Sequence, residues 1–268
     1  MIKNWLLSGD CHSQVRQRLD AVEALWQNYE PSETALILLG DVGFNFYLNN
    51  CEQKYKYQIS QRGYTIYCLR GNHEARPQDI GAELVWDEEI KGEVYIEPDC
   101  PNIRYFVDGG EYEIDGFKVL TIGGAYSVDK FYRLARGGVG WFENEQLSYN
   151  EFEEIFNRVK GKEFDFVFTH TCPLSFQPRD LFLSFIGQST VDNTTEIFLE
   201  VLKDNISYKY WCFGHYHADR VEQPYVCQFY TDLIEIPDFI YGWKMYDESG
   251  KLPSYWNLSP SMKRILEC

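Results

Sequence analysis

Lys209-Tyr210-Trp211-Cys212-Phe213-Gly214-His215-Tyr216-His217 is an apolar run that breaks at a glycine into two histidines. Aromatic and small apolar residues in such a run favour a buried strand. The glycine lets the chain turn sharply where the strand ends. His215 and His217, two apart on an extended segment, project to the same side. Moving outward, the same pattern recurs four times. Trp5 to Ser8 runs into Gly9-Asp10-Cys11-His12, and Thr34 to Leu39 into Gly40-Asp41. Tyr64 to Leu69 runs into Arg70-Gly71-Asn72-His73-Glu74, and Phe164 to Phe168 into Thr169-His170.

Helix-like segments lie between these runs. Ser13 to Tyr29 carries Val15, Leu19, Val22, Leu25 and Trp26 at helical spacing, with Ser13 as the expected N-cap. Asn49 to Arg62, Glu145 to Val159 and Thr190 to Leu202 also read as helices. Glu93 to Glu97, Ile103 to Val107, Glu111 to Ile114 and Phe117 to Ile122 read as short antiparallel strands, with Gly109-Gly110 and Asp115-Gly116 as turns. Two or three further strands are expected up to about Tyr246. Trp86, Trp211, Trp243 and Trp256 read as core residues. The alternation predicts an α/β layered fold in one large domain over residues 1–250, with a C-terminal tail over 251–268.

The formal net charge of the 268 residues is −16. That surface repels polyanions, so no extended nucleic-acid face is expected. No run approaches the 18 or so apolar residues of a membrane span, and the start Met1-Ile2-Lys3-Asn4 does not resemble a signal peptide. The eight cysteines sit mostly in apolar runs with no close pair. They read as reduced, buried thiols of a cytoplasmic protein.

The chain has five histidines, His12, His73, His170, His215 and His217, and all five fall in the strand-end clusters. A lone strand-end Asp is usually a turn former. Five clusters with every histidine among them call for another reason. Ligand sites in α/β sheets collect beyond the carboxyl ends of strands, so these clusters are expected to meet. Imidazole and carboxylate donors suit iron, zinc or manganese. Asp41 and Asn72 supply oxygens, and a bridging carboxylate would hold two cations about 3.5–4 Å apart.

The order Asp10-x-His12, Gly40-Asp41, Gly71-Asn72-His73-Glu74, His170, Gly214-His215-x-His217 resembles the calcineurin-like metallophosphoesterase superfamily across residues 9 to 217. The resemblance implies a two-sheet β-sandwich flanked by helices, in four layers. It implies two divalent ions, with manganese favoured over iron or zinc. Asp10, His12, Asp41 and His217 would hold one ion. Asp41, Asn72, His170 and His215 would hold the other, with hydroxide between them as nucleophile. His73 would be the catalytic acid. Two positions depart from the phosphoprotein-phosphatase branch. Phe44 stands where an Asp would orient His73, and Asn45 where an Arg would hold phosphate. Arg70, Arg133 and Arg136 are therefore the expected phosphate-binding residues. The expected activity is that of a phosphomonoesterase on a phosphoprotein, nucleotide or other small ester. A phosphodiesterase or nuclease on the same metals is the alternative, and a non-catalytic scaffold the remote one.

Overall fold

The computed structural model describes residues 1–251. Two sheets carry the fold. The first has the order β13-β1-β2-β3-β6-β5-β4 and the second β11-β12-β10-β9-β8-β7. In the first, β1 (Asn4–Ser8), β2 (Thr34–Leu38), β3 (Thr65–Cys68) and β6 (Ile103–Phe106) run parallel. In the second, β8 (Phe117–Ile122), β9 (Glu163–Thr169), β10 (Ser207–Phe213) and β12 (Val226–Gln228) run parallel.

The period-two alternation of side chains sorts the apolar residues into layers. Trp5, Leu7, Ala35, Ile37, Tyr67 and Leu69 face one way and meet Phe166, Phe168 and Cys212 between the sheets. Their neighbours Leu6, Leu36, Leu38, Ile66 and Cys68 face outward, against Val15, Leu19 and Val22 of α1 (Val15–Leu25) and Ile59 of α2 (Asn50–Ser60). On the far side, Leu120, Val167, Trp211 and Phe213 meet α4 (Tyr149–Val159) and α5 (Thr194–Lys203). The strands are buried on both faces, which is why they read as continuous apolar runs. The result is the α/β, two-sheet, four-layer sandwich that the resemblance implied.

Several local expectations need correction. Ser13 is not an N-cap. Gln14 holds that place without a side-chain bond, and Ser13 Oγ donates to the Gly43 carbonyl at 3.2 Å. α4 starts at Tyr149, where Ser148 and Glu151 form a capping box. The middle strands are not one antiparallel set. β5 (Gly92–Ile96) and β6 are antiparallel, but β6 joins the first sheet beside β3 while β7 (Gly110–Ile114) opens the second. Asp115 and Gly116 both have positive φ, as the β7–β8 hairpin turn requires. β4 (Glu83–Asp87) was not anticipated. It is a half-exposed edge strand that leaves Trp86 57% exposed.

After β11 (Arg220–Gln223), β12 and β13 (Ile234–Glu235) comes a helix, α6 (Ile236–Ser249), where strands were expected. Pro237 sits in its first turn, which suits proline, and Gly250 ends it in left-handed backbone. Phe239 and Trp243, one turn apart, drop into the inter-sheet core. The tail expected over 251–268 falls almost wholly outside the described residues, as does Trp256. No helix among the described residues is long and apolar enough to cross a membrane.

Candidate metal centre

The parallel strands bring their carboxyl ends to one edge. The segments after β1, β2 and β3 come from one sheet, and those after β9 and β10 from the other. There Asp10, His12, Asp41, Asn72, His170, His215 and His217 converge. Ligand atoms of Asp10, His12 and His217 lie within 4.8 Å of one another, and so do those of Asp10, Asp41 and His170. Asn72 joins the second group, with Oδ1 2.8 Å from His170 Nε2 and 3.1 Å from His215 Nδ1.

The backbone is strained where the donors sit. His12, Asp41, His215 and His217 have φ of 44°, 44°, 70° and 54°. Left-handed backbone costs a non-glycine residue about 1–2 kcal/mol, and such strain gathers at functional sites. Glycine relieves the crowding at Gly71, where a Cβ would stand 2.0 Å from Asp41 Oδ1. Gly71→Ala is expected to cost about 3 kcal/mol or more, the upper end for overpacking, and to weaken metal uptake. A variant with wild-type melting and full metal content would refute this reading of the glycine.

Hydrogen bonds fix which atoms face inward. His170 Nδ1 donates to the Leu39 carbonyl at 2.8 Å, so Nε2 presents its lone pair. Asn72 Nδ2 donates to Ser127 Oγ at 2.9 Å, so its carbonyl oxygen points at the imidazoles. Ser127 Oγ in turn donates to Glu145 Oε2. His12 Nε2 and His217 Nε2 are 2.8 Å apart. Asp10 Oδ1 accepts from the His215 amide at 2.8 Å, while its buried Oδ2 accepts nothing among the described residues. That oxygen lies 3.3 Å from His217 Nε2 and 3.8 Å from His12 Nε2. The His170 lone pair turned toward the Asn72 oxygen, with a buried Asp10 oxygen left over, is the chemistry of a cation site, and the residues fit divalent metals.

No thiolate joins the set. Burial pushes the Cys11 thiol up to about 12, and Cys172 is raised by burial as well. All seven described cysteines are free, and all but Cys51 are buried. Asp41 behaves oppositely. Burial would raise it, but His170, His73 and His12 outweigh that and hold it below the usual carboxylate range. Burial drives His215 well below the ordinary histidine value, in the neutral form a ligand needs.

His73 stands beside the donors. Its amide donates to Asp41 Oδ1 at 3.0 Å. Its Nδ1 donates to the Gly140 carbonyl at 2.9 Å, and its Nε2 lies 3.9 Å from Asp129 Oδ1. Gly140 and Asp129 thus orient the ring that Phe44 cannot. Glu74 ties two loops together, accepting from Gly43 N at 2.8 Å and Gly71 N at 2.9 Å. Asn45 is buried and accepts from Lys56 Nζ at 2.7 Å, turned to a structural task.

The three arginines separate. Arg133 lines the cleft, its Nε held by Asp129 Oδ2 at 2.7 Å. Arg70 and Arg136 do not line it. Arg70 is a buried strut that donates to Asp108 Oδ2 at 2.9 Å and to the Glu145 carbonyl at 2.6 Å. Arg136, at the end of α3 (Lys130–Ala135), stacks over Tyr132, 4.5 Å from the ring centre. Asp129, Gly140, Ser127 and Glu145 were not anticipated as site residues. Their one sequence signal is Gly123-Gly124 at the end of β8, which marks a sixth strand end at the same edge.

With this geometry in hand, the class is that of a metal-dependent hydrolase of phosphoric esters. The calcineurin-like phosphoesterase family matches residues 5–219, and the chain belongs to it. No curated protein matches the chain.

Proposed function

We propose that the protein is a phosphomonoesterase that uses two divalent cations, manganese favoured. The carrying observation is the convergence of seven oxygen- and nitrogen-bearing side chains at one sheet edge, with the buried Asp10 Oδ2 left without a hydrogen-bond partner among the described residues. Asp10, His12, Asp41 and His217 would hold one cation, and Asp41, Asn72, His170 and His215 the other. When bound, such a pair supplies an acidified water and offsets phosphoryl charge. Arg133 takes a phosphoryl oxygen at the rim. His73 Nε2 faces the leaving oxygen and gives it a proton, while Gly140 and Asp129 keep the ring aligned. The free thiols fit a reducing compartment, and we place the chain in the cytoplasm.

The charge of −16 supports a small monoester over a nucleic acid. So does the cleft, where Arg133 is the only arginine or lysine among the described lining residues. With manganese added, kcat/KM for p-nitrophenyl phosphate is expected to exceed that for its bis ester by about tenfold or more, as one lost charge contact on the diester would give. Preferential diester cleavage would replace this reading with a phosphodiesterase.

A further inference from the structure

The cleft above the candidate metal centre encloses about 360 Å³, the size of a small-ligand site. Its floor and walls differ in kind. The floor is the donor cluster with His73. One wall comes from the segment between β9 and α5, where Leu181, Phe182, Leu183, Ile186 and Val191 line it, with Gln177, Gln188 and Asn193 among them. Tyr126 and Val128, after β8, line it as well. Phe182 stacks on Tyr216, with ring centres 6.1 Å apart and planes 18° from parallel. A substrate's phosphoryl charge is met at the floor, and what it esterifies is met mostly by carbon.

Glu196 is the one carboxylate on this wall among the described residues. It lies on α5, is 4% exposed and lines the same cleft. Its Oε1 accepts from Thr171 Oγ1 at 2.7 Å, and that hydroxyl lies 3.1 Å from Tyr216 OH. Its Oε2 is buried and has no hydrogen-bond partner among the described residues. An unsatisfied buried carboxylate oxygen is costly. The metal donors make no use of it. In a ligand cleft, a donor on the ligand removes the cost. Burial raises this carboxyl to about 7, against the lowering effect of the Thr171 hydroxyl.

We propose that the substrate is a phosphomonoester whose leaving group joins a flat apolar body to an N–H or O–H donor, which Glu196 Oε2 accepts. The assignment rests on the phosphatase reading for the placement of the phosphoryl group. It disfavours polyhydroxylated esters such as sugar phosphates, which would set several hydroxyls against Leu181, Phe182, Ile186 and Val191 and reach only the few amides of Gln177, Gln188 and Asn193. It equally disfavours phosphopeptides with charged flanks, for which the wall offers carbon.

Three phosphonates that cannot be hydrolysed test it by calorimetric titration of the manganese-loaded chain. They are 3-phenylpropylphosphonate, its ring 4-amino derivative, and 3,4-dihydroxybutylphosphonate. The phenyl compound is expected to bind at least about tenfold tighter than the diol, as burial of one ring implies. The amino derivative gains about a further fivefold, the net worth of one hydrogen bond. Glu196→Gln puts an amide donor where Oε2 was and erases the second preference while keeping the first. Phe182→Ala, a separate check should the first variant fold poorly, removes most of the phenyl preference and leaves the diol unchanged. Equal binding of diol and phenyl compound overturns the proposal. So does an amino preference that survives Glu196→Gln, and so does a lack of binding by all three. Hydrolysis of the matching esters is measured alongside. Binding in the expected order without hydrolysis sinks the phosphatase reading and leaves the leaving-group assignment standing.

Discussion

Replacing Asp41 by alanine is expected to lower kcat/KM by on the order of a thousandfold and to strip at least one metal ion, since cations and their bridging ligand supply several kcal/mol of transition-state stabilisation. The reason is where its two oxygens sit. Oδ1 takes the amide of His73, and Oδ2 lies 3.7 Å from His170 Nε2. The carboxylate is 3% exposed, and its backbone carbonyl also accepts from the amides of Cys11 and His12. Asp41 therefore joins the segments after β1, β2, β3 and β9 at one point. Asp41→Asn is the sharper probe, because asparagine tolerates the left-handed backbone at φ 44° and keeps an acceptor for His73. It removes the negative charge and little else. Metal content by atomic emission and turnover of a monoester should fall together in both variants. Full metal content with activity within about tenfold of wild type, far less than a lost bridging ligand implies, would remove Asp41 from the site.

Much of this centre is legible in the sequence, for a physical reason. A donor at a strand end is announced twice, by the apolar run that precedes it and by a residue type that is costly to bury without a task. The parallel topology then brings the ends together without further instruction. The residues that steer the donors carry no such mark. Ser127 and Glu145 orient Asn72 because the chain after β8 folds back over the site, and neither residue is unusual in type or spacing. Arg70 shows the limit from the other side. Its place beside Asn72 and His73 looks functional, yet it is the strut against which Gly123 and Gly124 pack, with their missing Cβ positions 2.8 Å and 2.7 Å from its side chain. α6 departs from the strands expected there because Ile236, Phe239, Ile240 and Trp243, strand-favouring residues, gain more by packing on the inter-sheet core. Propensity gave way there to burial.

His73→Ala is expected to separate chemistry from metal binding. A positioned general acid contributes about a hundredfold to ten-thousandfold, so kcat for an alkyl phosphate should fall by that order. Metal content should stay at the wild-type value. The imidazole touches the Gly140 carbonyl and Asp129, whereas the bond that steadies Asp41 comes from the main-chain amide, which alanine retains. The leaving group supplies the control. A p-nitrophenolate departs without a proton, so its ester should lose less than about tenfold, while an alkoxide cannot leave unprotonated. If both esters lost activity equally, His73 would be holding phosphate rather than giving a proton. If the variant lost its metals, the imidazole would belong among the donors, and the division of labour between Asp41 and its neighbour would have to be redrawn.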